Sequence, residues 1–141
     1  MALPEKRWIQ RFDNYSNVLR HLENFVAIKE TRSLSLAEEF AIIKAFELVF
    51  ECAWNVLKDI LQDRGHLQIY GSRDAIRLAF RVGLIEDGET WFDMIAKRNN
   101  TTHAYDEEIA QRVSSIVSDK YIREFRHLKV NLEKLKLAEK E

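Results

Sequence analysis

Glycine and proline are nearly absent from this chain, and their scarcity constrains the fold more than any other feature. The 141 residues include four glycines, all between positions 65 and 88, and one proline, at position 4. Because these two residues are the strongest local breakers of helices, the segments on either side of this region can run as long helices. No segment has the alternating apolar and polar pattern of a strand, so the sequence predicts an all-α protein.

Apolar side chains recur at helical spacing along both long segments. Steps of four and three residues alternate in the first stripe and predict helix 1 over about residues 5–29. Its members are Trp8, Phe12, Tyr15, Leu19, Leu22 and Val26. Helix 2 begins after Ser33 or Ser35, either of which can cap it.

Helix 2 carries two adjacent apolar seams. They are Phe40, Ile43, Phe50, Trp54, Leu57 and Leu61, and Ile42, Phe46, Val49, Ala53, Val56 and Ile60. A face this wide predicts that helix 2 is the centre of the core, or that one seam serves the fold and the other a partner.

The glycine-containing region predicts two short helices. Ser72 with Asp74 is a good beginning for helix 3, which ends at Gly83. Its apolar residues are Ile76, Ala79 and Phe80. A turn at Asp87 then leads into helix 4, over about residues 88–99.

Helix 5 is predicted over about residues 107–136, with Asp106 as its cap. Its stripe consists of Ile109, Val113, Ile116, Tyr121, Phe125, Leu128, Leu132 and Leu135. Long and short helices joined by short loops predict an antiparallel up-and-down bundle of about five helices. We expect residues 1–141 to form a single domain, because no repeat or change of composition divides them.

Charge and composition exclude several classes of protein. With 22 Lys and Arg against 23 Asp and Glu, the net charge of −1 excludes a globally basic nucleic-acid-binding protein, although a local basic patch remains open. No run of about 18 apolar residues is present to span a membrane, and the first six residues are too short and polar for a signal peptide. Cys52 is a lone cysteine, so we expect a reducing, cytoplasmic location.

Polar residues are concentrated between Arg98 and Tyr105, where the apolar period lapses. The four histidines lack metal-ligand spacing and no glycine-rich phosphate loop occurs, so we expect neither a metal nor a cofactor. On an unbroken helix Arg98 and His103 would lie about 140° apart. The two side chains therefore converge only if the helix ends or distorts between them, or if a symmetry mate supplies one of them.

Two interpretations of this segment are open. In the first, it is a capped helix end with an exposed His103 and a partly buried Tyr105. In the second, it handles phosphate: Arg98 clamps the group, and His103 moves a proton near neutral pH. Such a pair suits RNA cleavage without a metal, by attack of the 2′-hydroxyl on the adjacent phosphorus. One histidine cannot be base and acid at once, so catalysis predicts a twofold dimer with two copies of His103.

An arginine, four residues, a histidine, any residue and a tyrosine occur in order at Arg98, His103 and Tyr105. The flanking sequence adds Phe46-Glu47-Leu48, Trp54, Ser72-Arg73-Asp74-Ala75-Ile76-Arg77, Ala79-Phe80, Gly83-Leu84-Ile85, Asp87-Gly88-Glu89, Trp91, Met94, Asn99, Thr101 and Asp106. Together these residues resemble the nucleotidyltransferase substrate-binding family, which belongs to the HEPN superfamily.

The resemblance implies an all-helical homodimer that is encoded beside a minimal nucleotidyltransferase, its partner. Many members of the superfamily are metal-independent ribonuclease toxins, which implies that Arg98 and His103 are catalytic and that RNA is the substrate. In some pairs the transferase adenylylates a tyrosine at the position of Tyr105 and silences the toxin. We favour the ribonuclease. The alternative is a non-catalytic subunit that docks the transferase and presents its substrate.

Supporting residues complete the predicted site. Asn99 and Thr102 would orient groups around the arginine and the histidine, and relatives often have serine in place of Thr102. Arg73 and Arg77 lie on a basic stripe that would contact a phosphate backbone, or they form a solvated face paired with acidic neighbours. Glu47, where a seam requires an apolar residue, is either a buried support or an edge residue with no role. In a third interpretation the role of the motif is purely structural: the wide face of helix 2 forms the dimer, and the motif only ends a helix.

Overall fold

A computed structural model describes residues 5–99 and 106–139, and within these ranges every regular element is a helix. The elements are α1 (Arg7–Thr31), α2 (Leu36–Asp63), α3 (Ser72–Arg81), α4 (Gly88–Asn99), α5 (Glu107–Ile116), a π-helical turn (Val117–Tyr121) and α6 (Ile122–Glu139). The π turn joins α5 to α6 without a break, so the predicted all-α fold of about five helices is confirmed in the described part of the chain. No helix there is long and apolar enough to cross a membrane.

Ion pairs between helix ends show how the long helices run. Lys6 contacts Asp63 at 3.0 Å, so the beginning of α1 lies against the end of α2. Asp13, near the beginning of α1, lies 3.4 Å from Lys136, near the end of α6. Both helix pairs are therefore antiparallel, as in an up-and-down bundle.

An aromatic cluster at the centre of the bundle joins α2 and α4 to the π turn and α6. It consists of Phe46, Phe50, Trp91, Tyr121 and Phe125, all fully buried. The ring centroids of its contacting pairs lie between 5.3 and 6.3 Å apart, in tilted and edge-on arrangements that stabilise a core beyond the area they bury. Both seams of α2 pack into the core, with only Phe40 and Trp54 partly exposed. The wide face of α2 is thus the centre of the core, the first of its two predicted roles.

Capping residues determine the beginning of α2. Ser35, and not Ser33, is its cap: the Ser35 hydroxyl accepts the Glu38 N–H at 3.2 Å, and the Glu38 carboxylate accepts the Ser35 N–H at 2.9 Å. Arg32 donates two hydrogen bonds to the same carboxylate, at 2.9 and 2.6 Å. These bonds lower the pKa of Glu38 to about 2, so the capping carboxylate stays ionised well below neutral pH.

α3 begins at the serine that the sequence predicted. The helix begins at Ser72, but its N-cap is Gly71, whose backbone is extended (φ 176°, ψ −172°). The carboxylate of Asp74 reaches back and accepts the backbone N–H of Tyr70 at 3.1 Å. The residues ahead of α3 are therefore tied to its first turn. Asp106 caps α5 as predicted.

The predicted helix 5 contains a π turn at Val117–Tyr121. Its predicted stripe includes a step of five residues, from Ile116 to Tyr121, which a regular α-helix cannot keep on one face. The π turn accommodates the extra residue, and Tyr121 is fully buried. Where the π turn begins, the Ser118 hydroxyl donates to the Ser114 carbonyl at 2.8 Å.

Phe80 is less buried than the pattern predicted. Phe80 is 50% exposed and lies against Gly88, where an added Cβ would come within 2.9 Å of the ring. Phe80 thus packs across the junction of α3 and α4 instead of entering the core. Cys52 is half-buried, and this burial, together with the neighbouring Glu51, raises the pKa of its thiol.

Tyr15 tests how α1 and α6 are held together. It is fully buried, and its hydroxyl donates to the Phe125 carbonyl at 2.6 Å. We expect Tyr15→Phe to remove this buried hydrogen bond and to lower the free energy of unfolding by about 1–2 kcal/mol, measured by urea denaturation. Tyr70→Phe removes the same group from a side chain that is 85% exposed and should leave stability unchanged. An equal loss in both variants would contradict this account.

Candidate functional site

Arg98 projects from the last turn of α4 and contacts two other helices. Its Nη1 donates to Oε2 of Glu51, on α2, at 3.3 Å, and its Nη2 donates to the hydroxyl of Ser72, on α3, also at 3.3 Å. The same Nη2 lies 3.4 Å from Oδ1 of Asn99, its neighbour on α4. One guanidinium therefore joins the end of α4 to the middle of α2 and the beginning of α3.

The ring of Phe50 supports the face of this guanidinium. The central carbon of the Arg98 guanidinium lies 5.1 Å from the ring centroid, within cation–π range. The side chains of Arg98 and Glu51 are 27% and 53% exposed, and an ion pair this exposed contributes only about 0–1 kcal/mol to stability. The ion pair thus adds little to the stability of the fold, and together with Ser72 and Phe50 it restricts the orientation of the guanidinium.

Contacts along α4 determine where Arg98 is presented. The Tyr121 hydroxyl donates to the Asp93 carboxylate, and Trp91 is packed in the aromatic cluster. Burial, reinforced by Asp93, raises the pKa of Tyr121, so its phenol stays protonated and remains a donor. At the start of α4, Asp87 accepts the N–H and the hydroxyl of Thr90, at 3.1 and 2.6 Å. The helix is fixed at its beginning and along its buried side.

Positive and negative groups both lie near Arg98. Ser72 is the first residue of α3, so the N-terminal end of that helix, which carries partial positive charge, lies close to the guanidinium. Lys97, next to Arg98 in the sequence, lies 3.7 Å from Asp93 on its own helix. The opposing charge is Glu51, which also lines a small cavity of about 100 Å³ between α1 and α2. A guanidinium oriented in this way can bind a phosphate group through its planar fork of N–H donors.

Most of the predicted motif lies outside the described residues. Thr102, His103 and Tyr105 fall within residues 100–105, whose structure is not described, and their roles stay predictions. Asn99, the last described residue before this gap, is exposed and contacts Arg98.

The glutamate that contacts Arg98 is one helical turn from the one the sequence suggested. Glu47 is half-buried and lies 3.7 Å from Lys44 on its own helix, and its supporting role stays a prediction. Glu51, four residues later on the same face, accepts the hydrogen bond from Arg98. In the sequence, the feature that marks a supporting glutamate is a carboxylate next to an apolar seam, and both Glu47 and Glu51 have it. Only the position at which α4 meets α2 distinguishes them.

Arg73 and Arg77, the predicted phosphate-binding residues, are exposed on α3. Arg77 Nη1 lies 3.7 Å from Oδ1 of Asp74, the acidic neighbour expected in the solvated-face interpretation. Both arginines share a helix with Ser72, the residue that contacts Arg98. Their contact with phosphate stays a prediction.

Known proteins share the sequence and the architecture of this chain. A profile of the family described as "Nucleotidyltransferase substrate binding protein like" matches residues 10–134. Over 81 residues the chain is 36% identical to a Haemophilus influenzae protein described as "Probable ribonuclease HepT". That match covers 55% of this chain and 56% of the relative, so the chain spans about half of the relative's length.

A crystal structure of a protein from Thermus thermophilus has the same arrangement of helices. Its TM-score is 0.72 at 28% sequence identity, over 81% of this chain and 94% of the other. The family match extends from α1 into α6 and includes Arg98 and the glutamate, serine and phenylalanine around it. The chain therefore belongs to the nucleotidyltransferase substrate-binding family of the HEPN superfamily.

Proposed function

We propose that this chain is the toxin of a two-gene module with a minimal nucleotidyltransferase, and that it cleaves RNA without a metal. The observation that carries the proposal is the oriented guanidinium of Arg98, held by Glu51, Ser72 and Phe50 where three helices meet. An arginine held in one orientation suits the negative charge that develops on a phosphate during its transfer, because no reorganisation is needed as the charge forms.

The proposed reaction begins when His103 takes the proton of a ribose 2′-hydroxyl. The 2′-oxygen attacks the adjacent phosphorus, and Arg98 stabilises the charge on the non-bridging oxygens of the pentacovalent transition state. The bond from phosphorus to the 5′-oxygen then breaks, and that oxygen takes a proton from a second histidine. The products are a 2′,3′-cyclic phosphate and a 5′-hydroxyl. Asn99 and Thr102 orient groups around the reacting pair.

Membership of a family described as nucleotidyltransferase substrate-binding supports a second candidate function, a non-catalytic subunit that docks the nucleotidyltransferase and presents its substrate. In that case the surface around Arg98 binds the transferase. The relative's description as a probable ribonuclease supports the first candidate. Cleavage assays on the unmodified protein separate the two.

The proposal predicts that the purified protein cleaves single-stranded RNA in EDTA without a partner. We expect His103→Ala to lower the rate by about 10²- to 10⁴-fold, because acid–base catalysis is lost. Arg98→Ala should lower it by about 10²- to 10³-fold, and Arg98→Lys should be nearly as slow, because an ammonium lacks the planar fork. Gel analysis of an end-labelled oligonucleotide measures these rates.

In cells, expression without the partner should arrest growth, and His103→Ala should relieve the arrest.

Arg126→Ala is the matched control for the arginine variants. Arg126 is exposed on α6 and pairs with Glu23 at 3.0 Å, away from the site, so its loss should leave the cleavage rate unchanged. If the wild-type protein leaves RNA intact, the proposal that this chain is a ribonuclease is wrong. Loss of transferase binding in Arg98→Ala would then favour the substrate-binding subunit.

The second histidine, we propose, belongs to a second copy of the chain, so that the active form is a homodimer with both copies of His103 in one cleft. We expect the specific activity to fall when the protein is diluted below the concentration at which the dimer dissociates, as determined by analytical ultracentrifugation. A dissociated monomer that keeps its full activity would be incompatible with this arrangement.

The nucleotidyltransferase partner, we propose, silences the toxin by modifying Tyr105. The Tyr105 hydroxyl attacks the α-phosphorus of ATP, loses its proton, and forms a phosphodiester as pyrophosphate leaves. Because Tyr105 is two residues from His103, the added nucleotide places bulk and negative charge beside the phosphate site. Mass spectrometry after incubation with partner and ATP should locate the added mass on Tyr105. The proposal fails if Tyr105→Phe is labelled to the same extent.

A further inference from the structure

Tyr70 is the most exposed large apolar or aromatic side chain in the described part of the chain. It lies in the short non-helical segment before α3 and is 85% exposed. Exposure alone is common, because much of any protein surface is apolar. The informative feature is the connection of Tyr70 to Ser72, which contacts Arg98.

Only Gly71 separates Tyr70 from Ser72, and its backbone is extended. The Cα atoms of residues 70 and 72 are at most about 7 Å apart. Since the Ser72 hydroxyl is 3.3 Å from Arg98, the exposed side chain of Tyr70 projects from backbone that lies close to the guanidinium.

Asp74 anchors this segment and keeps a cation next to it. Its Oδ2 accepts the Tyr70 N–H at 3.1 Å, while its Oδ1 lies 3.7 Å from Nη1 of Arg77. One carboxylate thus holds the backbone of Tyr70 and an arginine side chain together. Arg73, exposed on the same helix, adds a second positive charge. An exposed aromatic ring on an anchored backbone, with cations on the adjoining helix, is a combination by which proteins bind single-stranded nucleic acids.

We infer that Tyr70 is a stacking platform for one base of a single-stranded RNA whose phosphate lies at Arg98. This inference rests on the proposed ribonuclease function and assigns a residue that selects its substrate. The ring takes the face of an unpaired base, while Arg73 and Arg77 follow the backbone. Bases in a duplex already stack on one another, so Tyr70 favours unpaired nucleotides, with little preference among the four bases.

Binding of a short RNA methylated at every 2′-oxygen tests this inference, because that probe lacks the nucleophile and cannot be cleaved. We expect Tyr70→Ala to weaken its binding by about 5- to 100-fold, the range for losing one stacked base. Tyr70→Phe keeps the ring and should bind as wild type does. With 2-aminopurine in the probe, wild-type protein and Tyr70→Phe should quench its fluorescence, and Tyr70→Ala should quench it less.

Leu67→Ala is the matched control. Leu67 is 77% exposed in the same segment but has no aromatic face. Because Leu67 and Tyr70 are both largely outside the core, neither truncation should alter the unfolding midpoint. Leu67→Ala should bind the probe as wild type does. An equal loss of affinity in Leu67→Ala and Tyr70→Ala would point to a general apolar patch and overturn the stacking role.

The remaining outcomes distinguish this inference from the function on which it rests. If wild-type protein cleaves RNA and Tyr70→Ala binds the probe as tightly as wild type, the stacking role is wrong and the ribonuclease stands. If Tyr70→Ala keeps its RNA affinity but loses the nucleotidyltransferase, the segment is a protein-docking surface instead. If wild-type protein neither binds nor cleaves RNA, the ribonuclease and the stacking role both fall.

Discussion

The ring of Phe50 connects the core of this protein to its candidate site. It is fully buried, and its centroid lies 6.3 Å from the rings of Phe46 and of Trp91. The same ring lies under the guanidinium of Arg98, at 5.1 Å. Because protein interiors are close-packed, Phe50 cannot shift without displacing its neighbours. The orientation of Arg98 therefore depends on the packing of the whole aromatic cluster, in addition to the polar groups around it.

The short helix that carries Arg98 owes its position to the rest of the bundle. α4 has 12 residues, a length at which an isolated helix is marginal in water. Trp91 and the bond between Asp93 and Tyr121 attach it to the core, and Arg98 attaches its end to α2 and α3. If α4 were mobile, part of the binding energy between Arg98 and a phosphate would be spent on fixing the position of the helix. In this bundle the helix is already fixed when the chain folds, so that cost does not fall on binding.

The sequence predicted the helices closely because apolar period and glycine position are local signals. α1 is shifted by only two residues from its predicted range, and α4 has its predicted bounds. The family motif located Arg98. Glu51 could not be chosen over Glu47 from the sequence, because its contact with Arg98 joins positions 47 residues apart and depends on where two helices cross. Asp74 was predicted, with Ser72, to mark the beginning of helix 3, but its hydrogen bond to the preceding loop could not be predicted from that pattern.

The π turn gives the last helix a place to absorb a change in its length. It contains one residue more than regular α-helical geometry needs between Ile116 and Tyr121. A chain shorter by one residue there would close into ordinary helix and still direct α5 and α6 at the same neighbours. The same deletion elsewhere in either helix would rotate every later side chain by about 100° and turn the buried stripe toward solvent. The chain can therefore lose one residue at this turn with less damage to its packing than on either side of it.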